Sequence, residues 1–192
     1  MSEIKIFEKM TVIGLGLIGS SICRAAKANK IAGEIIGYDD NADIVKRSKE
    51  LSFIDRATET LEESVHESDI VILCTPVGAI PTVSKSISTY LKNGSILTDT
   101  GSVKGSVYEF FCNSNFNNIN VIPSHPVAGT ENSGPDSGFA ELFIDRWCIL
   151  TPLPEASKKS IDDISSMWST FGSKVELMDP QHHDLVLAIT SH

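Results

Sequence analysis

Residues 9–21 read KMTVIGLGLIGSS, and this stretch decides the fold. Its first part, through Ile13, is apolar and β-branched, as a buried strand is. Gly14, Gly16 and Gly19 then spell G-x-G-x-x-G, and Ile18, Ile22 and Ala25 follow with helical spacing. Glycines also mark ordinary turns, so the triplet alone says little. Set between a strand and a helix it has a specific use. Gly14 permits a tight turn, Gly16 lets backbone approach a pyrophosphate, and Gly19 lets the helix lie against the sheet. The free N–H groups of Leu17 and Ile18, at the positive end of the helix, would hold the anion.

Working outward, GEIIGYDD (33–40) reads as a second strand ending in acids, and Asp39 lies 20 residues beyond Gly19. A carboxylate there accepts hydrogen bonds from the adenosine ribose hydroxyls. Asp40 follows, with no arginine at either place, so a 2′-phosphate would meet two negative charges. NAD is therefore expected, and NADP is disfavoured.

Further strands are expected at SDIVILCTP (68–76), GSILTDTGS (94–102), NINVIPS (118–124), RWCILTP (146–152) and SKVELMD (173–179). Helical patterns over 42–51, 77–91, 103–112 and 155–171 separate them, and PQHHDLVLAITSH (180–192) opens another. Buried strands alternating with helices give a doubly wound, mostly parallel α/β sheet of the Rossmann type, with a C-terminal extension ending in a helix. Its unit is expected to span 1–178. In the last helix Leu185, Leu187 and Ile189 are apolar, which suggests a partner or a further domain against it.

Composition excludes several classes. The chain has 192 residues, 41% of them hydrophobic, and a formal charge of −9. Its basic residues are scattered, so nucleic acid is not an expected partner. No apolar run approaches the ~18 residues of a membrane span, and the N-terminus lacks a signal core, so a cytoplasmic protein is expected. Cys23, Cys74, Cys112 and Cys148 are widely spaced and read as reduced thiols. No histidine spacing supports a metal site. His66 reads as a surface residue, and His182 and His183 as solvated or capping ones.

Ligands in such sheets bind beyond the carboxyl ends of the strands. Thr75 and Pro76 stand at one such end, near the expected cofactor ribose, where Thr75 also suits a helix cap. Ser102 stands at another, as a cap or facing the nicotinamide. The third end delivers IPSHPVAGTENSGP (122–135). Ala128 and Gly129 leave space around His125, and a neutral imidazole can take the proton of an alcohol as hydride leaves.

Taken together, GLGLIGSS, GYD, TDTGSVK, SHPVAGTENSGP and the terminal TSH resemble the prephenate and arogenate (cyclohexadienyl) dehydrogenases of tyrosine biosynthesis. The resemblance implies oxidative decarboxylation of prephenate, or arogenate, to 4-hydroxyphenylpyruvate, or tyrosine, with NAD. It assigns His125 the deprotonation of the 4-hydroxyl and Ser102 the orientation of that histidine and the nicotinamide. Thr130 and Glu131 would line the pocket entrance, and His192 would help shape the substrate site. It further implies that 179–192 begins the linker helix to a C-terminal helical domain, absent here, that makes the full-length family a homodimer. Two other readings stay open: a stand-alone NAD-binding or regulatory module without turnover, and another Rossmann dehydrogenase of the β-hydroxyacid type.

Overall fold

A computed structural model describes residues 5–190. The main sheet has six parallel strands: β1 (Phe7–Ile13), β2 (Ala32–Tyr38), β3 (Arg56–Ala57), β4 (Ile70–Leu73), β5 (Ile96–Asp99) and β6 (Asn120–Val121). Their order is β3-β2-β1-β4-β5-β6. The direction of winding reverses between β1 and β4, which opens a crevice at their carboxyl ends.

Both faces of the sheet are covered, and the strand sequences show why. In β4, Ile70 and Ile72 point into one apolar cluster while Val71 and Leu73 point into the other, the period-2 alternation of a pleated strand. All four are fully buried, so the strand reads as continuous hydrophobics. Helix α1 (Leu17–Ala28) covers the first face with Ile22, Cys23, Ala25 and Ala26. Helices α4 (Ile80–Ile87) and α5 (Gly105–Cys112) cover the second through Ile80, Ile87, Val107 and Phe111. Two further helices, α2 (Ala42–Glu50) and α3 (Leu61–Val65), begin at Asn41 and Thr60, whose side chains accept from Asp43 N and Glu63 N. These are ordinary N-caps.

The expected strand 118–124 divides. Ile122 N still donates to Leu97 O of β5, but Pro123 has no N–H to continue a ladder. Beyond it β7 (Ser124–Pro126) turns to pair with β8 (Trp147–Leu150), antiparallel, and β9 (Lys174–Leu177) adds to β8 in parallel. The result is a separate three-stranded sheet, backed by α6 (Lys158–Thr170) and the mutually packed rings of Phe143, Trp168 and Phe171. The last helix, α7, spans Pro180–Thr190. Asp179 accepts from Gln181 N and His182 N at its start. Leu185 and Ile189 are 61% and 69% exposed, and Leu187 turns to the other side of the helix. Among the described residues no helix is long and apolar enough to cross a membrane.

Candidate active site

The β1–α1 turn has the geometry the glycines imply. Gly14 has φ +91, and a Cβ there would lie 2.6 Å from Cys74 O. A Cβ on Gly19 would fall 1.9 Å from Gly14 O, so helix and turn approach as closely as backbone allows. Gly16 is the opposite case, with nothing within 4 Å of where a Cβ would stand. It opens α1 without any side-chain cap, leaving the helix start, Leu17 and Ile18, available to an anion.

Asp39 follows β2 and points back into this turn. Its Oδ2 accepts from Leu15 N at 2.8 Å and its Oδ1 from Asn41 N at 3.0 Å. The carboxylate is thereby fixed beside the glycine loop, with lone pairs left over for a ribose. Across the crevice, Thr75 Oγ1 is buried with no partner among the described residues, and Gly78 beyond Pro76 faces open space. Thr75 caps no helix, since the short turn of helix there begins after Pro76. An open glycine cradle, an uncapped helix start, a fixed carboxylate and an unpartnered hydroxyl fit a dinucleotide laid across the β1/β4 crevice.

His125 lies on β7, 8% exposed, at the wall of a cavity of about 630 Å³ that Ser102, Ala128 and Gly129 also line. The expected link from Ser102 to His125 is not a hydrogen bond in this structure. Nor does Ser102 cap α5, whose first N–H groups, Lys104 N and Gly105 N, donate to the Asp184 carboxylate instead. Instead His125 Nδ1 lies 2.8 Å from His183 Nε2, and His183 Nδ1 lies 2.8 Å from Asp184 Oδ1. His183 is fully buried, which corrects its reading as a solvated or capping residue. His182, its neighbour, is exposed.

The order of this relay settles where the protons sit. Burial works against the Asp184 carboxylate, but hydrogen bonds from Lys104 N, His183 and Gly105 N outweigh it and hold the group below the usual range. Ionised Asp184 must accept, so His183 Nδ1 carries a hydrogen. With its one hydrogen on Nδ1, the His183 ring offers a lone pair at Nε2, and His125 then donates from Nδ1. His125 Nε2 is left as an unprotonated nitrogen with no protein partner among the described residues. Burial first, then the neighbouring His183 and Lys104, push the pKa of His125 down to about 4, against the pull of Asp184. The ring is therefore neutral and able to accept a proton at pH 7.

A buried ion pair holds the histidine strand in place. Lys104 Nζ donates to Asp99 Oδ2 (2.5 Å) and to Ser124 O (2.7 Å), and Ser124 Oγ donates to Asp99 O (2.6 Å). Lys104 and Asp99 are both 0% exposed, and losing either would strand the other's charge. Thr130 and Glu131 sit further out on the exposed loop, where Thr130 Oγ1 accepts from Asn132 N at 3.2 Å. His192 lies outside the described residues. Among those residues no group of acids, histidines and cysteines could hold a metal ion.

Sheet order, glycine turn and crevice together define a dinucleotide-binding domain of the Rossmann class. The chain belongs to the family described as prephenate dehydrogenase, nucleotide-binding domain, whose sequence model matches residues 22–177. It is 43% identical over 187 residues to the cyclohexadienyl dehydrogenase of Zymomonas mobilis, covering 97% of this chain and 64% of that protein. It is 31% identical to the prephenate dehydrogenase of Lactococcus lactis, over 96% of this chain and 50% of that one. The chain thus spans about half to two-thirds of the length of these relatives. Among solved structures, Aquifex aeolicus prephenate dehydrogenase in complex with hydroxyphenyl propionate and NAD+ superposes with a TM-score of 0.88. The two are 30% identical over 96% of this chain and 64% of the other.

Proposed function

We propose that the chain is the cofactor-binding and proton-accepting part of an NAD-dependent dehydrogenase that oxidatively decarboxylates prephenate or arogenate. The observation that carries this reading is the His125–His183–Asp184 relay, which turns a lone-pair nitrogen toward a cavity beside the dinucleotide crevice. The family, and the relative solved with NAD+ and a hydroxyphenyl acid, support it.

The substrate class is a cyclohexadienol with a 4-hydroxyl, a ring carboxylate and a carboxylate-bearing side chain. Bound NAD supplies the acceptor for the C4 hydride. His125 Nε2 takes the 4-hydroxyl proton as the C4–O bond gains carbonyl character. The Nδ1–H bond to His183 holds the ring in place while this happens, and Asp184 stands behind the second ring to stabilise the imidazolium. The ring carboxylate leaves as CO2, and its C–C bonding pair completes the aromatic ring. Ser102 lines the same cavity, where its hydroxyl would orient the nicotinamide and the histidine. Asp39 and the glycine turn hold the dinucleotide, with the carboxylate favouring an unphosphorylated ribose.

The test is a turnover assay on this chain, with prephenate and then arogenate, each with NAD and with NADP. NADH formation from one of the two acids, with NADP at least about tenfold poorer in kcat/KM, is expected. NAD binding without turnover of either acid would favour a binding module instead.

A further inference from the structure

The cavity at His125 carries a cation that the proton chemistry does not use. Its charged lining residues are Asp184 and Arg146. Asp184 is occupied by Lys104 N, Gly105 N and His183. Arg146 is exposed, and its guanidinium has no hydrogen bond or ion pair among the described residues. Its backbone, by contrast, is pinned: Arg146 N donates to Phe143 O at 3.1 Å, and Arg146 O accepts from Lys174 N at 2.8 Å. Arg146 thus combines a fixed stem with a guanidinium free to take an anionic ligand.

Strand register sets its distance from the base. Ile149 faces His125 across the β7–β8 ladder, and Arg146 stands three residues earlier, ~10 Å along an extended chain. The wall between them is neutral, made by Val127, Ala128, Gly129 and Leu187. A ring with a hydroxyl at one end and an acid at the other would meet an acceptor at His125 and a two-pronged donor at Arg146.

We infer that Arg146 binds the side-chain carboxylate of the substrate; this rests on the function proposed above. The ring carboxylate is the poorer partner, since it must depart as CO2. A guanidinium held on it would stabilise the ion that has to lose its charge, and so raise the barrier. The side-chain carboxylate lies at the far end of the ring from the 4-hydroxyl and survives into the product.

The test compares two phenols on the NAD-loaded chain by calorimetric titration. The first is 3-(4-hydroxyphenyl)propionate, and the second is 4-ethylphenol, which keeps the ring and hydroxyl but lacks the acid. In Arg146→Gln the propionate should bind roughly 10- to 100-fold more weakly, while 4-ethylphenol and NAD bind as before. Equal weakening of both phenols would mean that Arg146 only shapes the wall, and no weakening of either would mean that it binds nothing; each result overturns the inference. If the unaltered chain binds NAD but neither phenol, the proposed function fails, and the inference falls with it.

Discussion

Asp184 accepts three hydrogen bonds, and the one from His183 decides which nitrogen of His125 carries a proton. An amide in its place can donate as well as accept. In Asp184→Asn the His183 ring is free to turn its proton to Nε2, which would force the His125 proton to Nε2 as well and replace the proposed base's lone pair with a donor. Turnover is expected to fall roughly 10²–10⁴-fold with NAD affinity unchanged. Nitrogen-15 NMR of the imidazoles should show the Nδ1–H tautomer of His125 in the unaltered chain and its loss in the variant. An Nε2–H tautomer in the unaltered chain would contradict the proton order of the relay.

This residue-scale detail was only half legible in the sequence. His125 stands out because it follows a strand at the carboxyl edge of the sheet, with Ala128 and Gly129 leaving space beside it. His183 hides because its partner is 58 residues away. The spacing Leu185, Leu187, Ile189 also misleads: alternate residues do not share a helix face. Leu185 and Ile189, four apart, form the exposed face, whereas His183 and Leu187, also four apart, turn inward. Periodicity alone points to the wrong face, because the more apolar pair is the exposed one.

At the scale of elements, the loop between β7 and β8 is fastened to the helix that carries the glycine turn. Phe139 N donates to Ser21 Oγ (3.1 Å), Arg24 donates to Pro135 O (3.2 Å), and Arg47 of α2 forks onto Asp136 through Nε (2.9 Å) and Nη2 (2.5 Å). Gly138 makes the contact possible, since a Cβ there would lie 2.1 Å from Ser20 Oγ and 3.1 Å from Ser21 N. Cofactor helix and histidine loop are thereby joined by hydrogen bonds and a close backbone approach. Gly138→Ala should destabilise the chain by about 1–3 kcal/mol in urea unfolding and weaken NAD and substrate analogue together. A stability change below about 0.5 kcal/mol would show that the loop can lift off α1 freely. No part of this fastening could be read from local pattern, because its bonds join residues 89 to 118 positions apart.

At the scale of the whole molecule, the doubly wound parallel sheet was implied by the glycine turn and the strand–helix alternation, which are local signals, but its two-residue edge strand β3 was not. Nor was the second sheet. β7 has three residues and is broken from β6 by Pro123, too short for any periodicity to appear. The match to the family ends at Leu177, yet α7 supplies His183 and Asp184, so the site is completed by chain beyond that stretch. Burial of a neutral His125 also gives the molecule a signature. Its pKa is near 6.5 unfolded and about 4 folded, so between those values the unfolded chain binds the extra proton. Stability contributed by His125 is complete above about pH 6.5 and is lost as pH falls toward 4. The unaltered chain should lose about 2 kcal/mol more than His125→Asn between about pH 7 and pH 5, read from urea unfolding at the two values. Equal losses would mean that the histidine titrates normally in the fold.

The most direct measurement is the rate of NADH formation from prephenate by His125→Asn beside the unaltered chain, with NAD affinity measured in parallel. A rate lower by roughly 10²–10⁴-fold at unchanged NAD affinity is the expected result, because the asparagine keeps the shape and one donor of the ring but has no nitrogen to take the proton. A rate within about threefold of the unaltered chain would contradict His125 as the base.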